Sequence, residues 1–317
     1  MKICLVTPAG KQSRAGNRTT ADRWAKILKE LGHRVSVVKK YDGSNADLMI
    51  AIHAWRSYDS IQIFSNKFPE RPLLVLLAGT DIYRFQHTHP EKTIDSMERA
   101  TVLISLHNLV HKAIPKKFSD KINLIYQSAL PLKKQRCPTK RYFDVCVVGH
   151  LRDEKDSLRA AYAARNLPPK SRLRIIHLGK AHNQKWSRLA REEELKNHRF
   201  KWREEVTSWK VRDQYSKSHA LVISSVMEGG ANVVSEALAA GLPVIASEID
   251  GNVGLLGADY AGYYPARDTK ALTDLLLKAE TDPKFLTILK SQCSAKKILF
   301  YPECERDSWK KLLANVD

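Results

Sequence analysis

The chain has 317 residues, 43% of them hydrophobic and 27% charged. That balance excludes a disordered chain, and no apolar run approaches the ~20 residues that a bilayer span needs. The net charge of +19 raises nucleic-acid or anionic-ligand binding. The basic residues are dispersed, however, and neither RNP-type aromatic signatures nor zinc-finger spacings occur, so no nucleic-acid partner is expected. Two domains are expected from the length. The opening MKICLVTPAG lacks the pattern of a secretion signal, so a cytoplasmic location is expected. The five cysteines form no CxxC pair, which argues against zinc and dithiol chemistry. Cys4 and Cys146 fall in apparent strands as small buried hydrophobes. His87 and His89 stand two apart in a segment read as a loop, with no third ligand nearby, and no metal site is expected.

In chain order, KICLVTP reads as a strand, followed by a polar loop. The segment TTADRWAKILKELG reads as a helix, with Trp24, Ile27, Leu28 and Leu31 on one face and Gly32 as its stop. RVSVVK, DLMIAIHA, PLLVLLAGT and TVLISL are further strands. A basic stretch, Lys133 to Arg141, reads as a linker. The pattern then restarts with FDVCVVGHL, a helix around SLRAAYAARN, LRIIHLG, HALVISS, the helix NVVSEALAA and the strand PVIAS. The tail is helical, with a break at YPE. Short apolar runs alternating with helices describe an α/β protein with two Rossmann-like domains, each with a parallel sheet, facing each other across a cleft. The expected bounds are 1–138 and 139–297, with a C-terminal helix, 298–317, packing back on the first domain.

Ligands of such sheets bind beyond the carboxyl ends of the strands, and the polar motifs all follow strands. AGKQSRAGNRTT carries Gly10, Gly16, Arg14, Asn17, Arg18, Thr19 and Thr20 before a helix, a loop suited to an oxyanion or else a surface loop. HAWRS places His53 and Arg56 at a strand end, where the histidine either orients a substrate or is structural. In AGTDIYR, Asp81 and Arg84 either pair with each other or line the cleft. VVGHLRDEKD offers Gly149, Arg152 and Lys155 to a diphosphate, unless Asp153, Glu154 and Asp156 absorb those charges. In VMEGGANVVSEALAAG, Asn232 opens a helix whose free N–H groups Gly229 and Gly230 leave exposed to a phosphate. Glu236, one turn inside, can accept from the two hydroxyls of a ribose, and Glu228 lies nearer the cleft. Together these features describe a nucleoside diphosphate sugar site. No DxD-type metal motif stands out, so metal-independent catalysis without a cofactor is expected.

Glu228 and Glu236 have the E-x7-E spacing of family 4 glycosyltransferases of the GT-B fold. VVGHLRDEKD resembles that family's G-R-L-x-x-E-K-G segment, with Lys155 at the diphosphate-binding lysine. His150 stands where the family carries an arginine, and Arg152 could take its part. A wider set of segments resembles the selenosugar synthase (SenB) family of selenoneine biosynthesis: SRAGNRTTADRWAKILKELGHRV, DLMIAIHAWRS, AGTDIYR, VVGHLRDEKD, SSVMEGGANVVSEALAAGLPVIAS and GNVGLLGADYAGYYP. The resemblance implies transfer of a glycosyl group, N-acetylglucosamine being the expected one, from a UDP-sugar to the selenium of selenophosphate. UDP and then phosphate would leave. It implies catalytic roles for Lys155, Arg152, Glu228 and His53. The nucleotide sugar would meet Gly149, His150, Arg152, Lys155, Gly179, Glu228, Gly229, Gly230, Ala231, Asn232, Val233 and Glu236. Selenophosphate would meet Gly16, Asn17, Arg18, Thr20, Asp81 and Arg84. The competing readings are a GT-B transferase with a hydroxyl acceptor and a non-catalytic, basic RNA-binding or regulatory protein on the same scaffold.

Overall fold

Short apolar runs build the first sheet. Its strands are β1 (Lys2–Val6), β2 (Arg34–Val38), β3 (Leu48–Ile52), β4 (Leu73–Leu76), β5 (Val102–Ser105) and β6 (Ile122–Leu124). They pair in the order β2-β1-β3-β4-β5-β6, every pair parallel. Strand β3, LMIAI, is buried along its whole length, as a central parallel strand must be when helices cover both faces. Alternation along the strands sends side chains to opposite faces. Cys4, Val6, Met49 and Ala51 join one apolar cluster, while Ile3, Leu5, Leu48 and Ile50 join another. The helices of this region are α1 (Gly16–Glu30), α2 (Tyr58–Lys67), the single turn α3 (Gln86–Thr88) and α4 (Pro90–Arg99).

A computed structural model describes residues 1–13 and 15–316. The chain divides into two units. The first holds Met1–Gln127, Glu228–Gly230 and the residues from Pro302 onward; the second holds Ser128–Met227 and Ala231–Tyr301. The basic segment read as a linker lies within the second unit. There Arg136 is half-buried and donates to the carbonyls of Tyr215, Gly241 and Ser218. Its charge is spent on holding irregular backbone rather than on solvent.

The second unit repeats the scheme with β7 (Phe143–Val148), β8 (Leu173–Leu178), β9 (Phe200–Trp202), β10 (Ala220–Ile223), β11 (Val244–Ser247) and β12 (Tyr263–Tyr264). Their order is β12-β11-β10-β7-β8-β9, again all parallel. The helices are α5 (Arg159–Arg165), α6 (Gln184–Lys196), α7 (Ser208–Lys217), α8 (Asn232–Ala239), α9 (Asp250–Leu256), α10 (Thr269–Thr281) and α11 (Pro283–Lys296). The sequence break at YPE is where α12 (Pro302–Ala314) begins, with proline at a position that needs no N–H donor.

Two local expectations need correction. Helix α1 starts at Gly16, so Gly16 to Thr20 form its first turn rather than a loop before it. His87 is helical, not in a loop: residues 81–85 form a π-type turn that runs into α3. Stacking of Trp55 on Phe85, at 4.2 Å, and a tilted contact with His89, at 4.9 Å, pack this turn against the end of β3. Arg14, read as an anion donor, lies outside the described residues.

Helix α12 closes the first unit against α1. Trp309 meets Trp24 edge to face at 4.8 Å. The Glu305 carboxylate, fully buried, accepts from Trp24 Nε1 at 2.8 Å and pairs with Arg23 at 2.9 Å. Removing one partner of a buried, bonded charge pair strands the other. Glu305→Ala should therefore destabilise the first unit by about 3 kcal/mol, read as a lowered urea midpoint. A shift below about 1 kcal/mol would mean the pair is solvated in practice.

Candidate active site

Sheet topology selects the loops where a ligand can sit. In the second sheet β7 lies between β8 and β10, so the winding reverses there. The loops leaving β7 and β10 diverge and open a crevice at their carboxyl ends. These are residues 149–158 and 224–231, which contain the two sequence motifs. In the first sheet the same rule selects the loops after β1 and β3.

The loop after β7 is held by backbone contacts that only glycine permits. Gly149 and Gly179 have φ of 153° and 155°, and a Cβ on Gly179 would collide with the Gly149 carbonyl. His177, on β8, is buried, and its Nε2 lies 3.0 Å from that same carbonyl oxygen. Beyond the turn, Arg152 N–H donates to Ser157 Oγ at 3.0 Å. Lys155 ends a short 3-10 turn, Asp153–Lys155. Ser224 Oγ, just after β10, lies 3.0 Å from the carbonyl oxygens of both Lys155 and Asp156. Val226 N–H donates to Glu154 O at 2.9 Å. The two crevice loops are thus stitched together, and Lys155 is fixed by its backbone.

Two of the acidic residues beside Lys155 have neighbouring arginines. Asp156 pairs with Arg159 at 2.7 Å, and Glu154 lies 3.9 Å from Arg152. His150, half-buried, sits 3.9 Å from Glu205, and burial pushes its pKa below the usual range. A small cavity of about 10 Å³ is lined by Gly149, Lys155, Ser157, His177, Ser224 and Val233 among others. It joins Lys155 to the first turn of α8.

Helix α8 begins at Asn232, as expected, with Ala231 as its N-cap and no side-chain oxygen capping it. The first turn carries the positive end of the helix dipole. One turn on, Glu236 Oε2 accepts from the Tyr215 hydroxyl at 2.8 Å. Tyr215 is fully buried, and burial followed by the Glu236 charge pushes its pKa far up. It stays protonated and holds the carboxylate in one orientation. Sequence reading missed Tyr215 and His177, because a lone tyrosine on α7 and a lone histidine on β8 carry no motif.

Glu228, Gly229 and Gly230 group with the first unit. Glu228 is buried. Gly229 passes Gly79 backbone to backbone, so that a Cβ on either would lie 2.5 Å from the other's nitrogen. Asp81, next to Gly79, is wholly buried. Its carboxylate accepts from the N–H groups of Ala54, Trp55 and Ala78 at 2.8, 3.0 and 2.9 Å, and from His53 Nδ1 at 2.7 Å. Of the two alternatives the sequence left open, pairing with Arg84 is not the one seen. His53 Nε2 meets Arg56 Nε and Thr80 Oγ1, both at 3.1 Å. Among the other residues read as anion-binding, Gly16 is exposed and Asn17 half-buried. Arg18 pairs with Asp22 at 2.7 Å. Thr20 is buried and accepts from Gln127 at 2.6 Å. Among the described residues, no three His, Cys, Asp or Glu side chains converge as metal ligands, and no helix is long and apolar enough to cross a membrane.

The crevice loops define a class. The pattern of the family described as "Glycosyl transferases group 1" matches residues 131–296, and the chain belongs to that family. The fold is GT-B, shared with solved structures of low identity. Anabaena HepE, solved with UDP and glucose, is 15% identical with a TM-score of 0.78, over 99% of this chain and 100% of that one. Sucrose-phosphate synthase from Thermosynechococcus elongatus is 16% identical with a TM-score of 0.77, over 99% and 98%. The pneumococcal O-GlcNAc transferase GtfA, solved with UDP and GlcNAc, is 16% identical with a TM-score of 0.67, over 93% and 60%. No curated protein matches the chain by sequence.

His177 makes this region pH-sensitive. Burial lowers its pKa from 6.5 to about 4, against the opposing effect of its bonds to Gly149 and Ser157 backbone. The unfolded chain binds the proton more readily than the folded one. The stabilisation from keeping His177 neutral is therefore complete above pH 6.5 and is lost as pH falls towards 4. The difference amounts to about 3 kcal/mol. His150 and His219 shift in the same direction, so the comparison must be between proteins. His177→Gln should flatten the fall in urea midpoint between pH 7 and pH 4.5. Parallel pH curves for the two proteins would contradict a buried neutral imidazole.

Proposed function

We propose that this glycosyltransferase uses a UDP-sugar donor and is a selenosugar synthase. It transfers a glycosyl group, N-acetylglucosamine in the first instance, to the selenium of selenophosphate. The observation that carries the donor reading is the convergence of Lys155 and the start of α8 on one cavity, with Glu236 braced by Tyr215 one turn further on. Lys155 and the α8 N–H groups would stabilise the diphosphate of departing UDP, with Arg152 beside them. Gly149, His150, Gly179, Ala231 and Val233 would shape the backbone around it, and Glu236 would grip the ribose diol. Solved structures of the same fold that carry UDP or a UDP-sugar support this choice of nucleotide. Glu228 would contact the sugar hydroxyls.

The acceptor reading rests on the resemblance of the motifs across both units to the selenosugar synthases, and on chemistry that suits an anion. Gly16, Asn17 and Arg18 open α1 at the end of β1, and Arg56 and Arg84 lie on neighbouring loops of the same sheet. Selenophosphate is already nucleophilic, so transfer needs no strong base. It needs two anions held together and the charge on leaving UDP stabilised. In this reading Asp81 orients His53 and does not touch the acceptor, and Thr20 braces α1 through Gln127.

Anaerobic incubation with UDP-N-acetylglucosamine and selenophosphate should release UDP and give a sugar product with the selenium isotope pattern in mass spectra. Turnover with a hydroxyl acceptor while selenophosphate stays inert would replace the acceptor assignment. Salt-sensitive RNA binding without any turnover of the UDP-sugar would replace the enzyme assignment.

Two substitutions test the donor roles. Lys155→Ala should lower kcat by about 10²-fold; an effect on protein yield alone would make the lysine structural. Tyr215→Phe should raise the donor KM by roughly 5-fold or more with kcat nearly kept. It should also narrow the preference for UDP over 2′-deoxy-UDP as a competitive inhibitor. An unchanged preference would separate Tyr215 from the ribose.

A further inference from the structure

We propose that Thr80, His53 and Asp81 form a nucleophile–base–orienter relay in the first unit, which removes the phosphoryl group from selenium after glycosyl transfer. The proposal rests on the selenophosphate reading above and names the residues for its second step.

The geometry is that of an activated hydroxyl. His53 Nδ1 lies 2.7 Å from Asp81 Oδ1, and Nε2 lies 3.1 Å from Thr80 Oγ1. The Arg56 N–H also lies 3.4 Å from Nδ1. The shorter contact, to a carboxylate, decides the tautomer: Nδ1 carries the proton to Asp81, and the Nε2 lone pair faces the threonine hydroxyl. Asp81 is fixed by three backbone N–H groups, so it acts as an orienting carboxylate. This is the nucleophile, base and third-group arrangement that activates weak hydroxyl nucleophiles.

Accessibility assigns the parts. His53 is 2% exposed, whereas Thr80 is only half-buried. An incoming group meets the hydroxyl, with the imidazole behind it. His53 also adopts φ of 79°, a conformation that costs a β-carbon residue on the order of 1 kcal/mol. The strained residue at the end of β3 carries the imidazole that lies between Asp81 and Thr80, and the two N–H groups that follow it, of Ala54 and Trp55, hold Asp81.

Arg56 selects the chemistry. Its Nε–H shares the Nε2 lone pair with Thr80, at 3.1 Å. A dianionic phosphoryl group attracts the guanidinium onto its oxygens, which frees Nε2 to take the threonine proton. A neutral acyl group would offer no such pull. In the first half-reaction Thr80 Oγ attacks phosphorus as the P–Se bond breaks. The bonding pair leaves with selenium as the sugar selenolate, and the threonine proton passes to His53 Nε2. In the second half-reaction water attacks the phosphothreonine and His53 returns its proton to Oγ. The sum is the glycosyl selenophosphate dianion plus water giving the sugar selenolate plus dihydrogen phosphate.

The test measures UDP and orthophosphate separately, with UDP-N-acetylglucosamine and selenophosphate as substrates. Wild-type protein should release phosphate and UDP in equal amounts. Thr80→Val should drop the phosphate-to-UDP ratio to about one tenth or less and accumulate the phosphorylated selenosugar in mass spectra. Thr80→Ser, which keeps the hydroxyl, should restore the ratio. An unaltered ratio in Thr80→Val, or equal loss in the valine and serine variants, would overturn the relay. If the wild type releases no UDP with selenophosphate, the acceptor reading fails. A donor-free arm with an S-alkyl phosphorothiolate then decides the relay alone. Phosphate release from it, with a phosphoryl adduct on Thr80 and loss in Thr80→Val, would support the relay; no release by the wild type would overturn it.

Discussion

Glycine at Gly179 lets two loop backbones meet where no side chain fits. The first residues after β7 and after β8 press against each other, and the Gly149 carbonyl is held from beneath by a buried imidazole. That contact sets the path of residues 150 to 156, and Ser224 then ties this path to the loop after β10. The position of Lys155 is thus a consequence of backbone packing at the switch point of the sheet. A lysine side chain alone is flexible, and the role proposed for it against a diphosphate requires a backbone that does not move.

The alternating strands and helices, the two parallel sheets and the helix that begins at Asn232 were legible in the sequence, because hydrophobic period and glycine placement report them directly. The crevice loops were legible as motifs: GHLRDEK and EGGANVVSE lie at carboxyl ends of adjacent strands. The supports of those motifs were not. Tyr215 comes to Glu236 from α7, and His177 comes to Gly149 from β8, through contacts distant in sequence. The role of Asp81 also escaped sequence reading. An Asp and an Arg three positions apart suggest a pair, but the carboxylate turned instead to three backbone donors and a histidine from the preceding strand. Buried backbone N–H groups require acceptors, and that requirement outweighs a surface ion pair worth little in water.

The net charge of +19 is distributed through both uses. Some cations are consumed by structure, as Arg136 and Arg23 are by carbonyls and by Glu305. Others, Lys155 and Arg56 among them, stand at strand ends. In the proposed function the first unit handles a small multivalent anion and the second the nucleotide.

The central claim is that a UDP group is held by the loop after β7 and the start of α8. Hydrogen exchange read by mass spectrometry, with and without saturating UDP, tests it most directly. The account predicts that within the second unit slowed exchange concentrates in residues 149–155 and 231–237. Protection elsewhere in that unit with those two segments unchanged, or no protection at any UDP concentration, would contradict it.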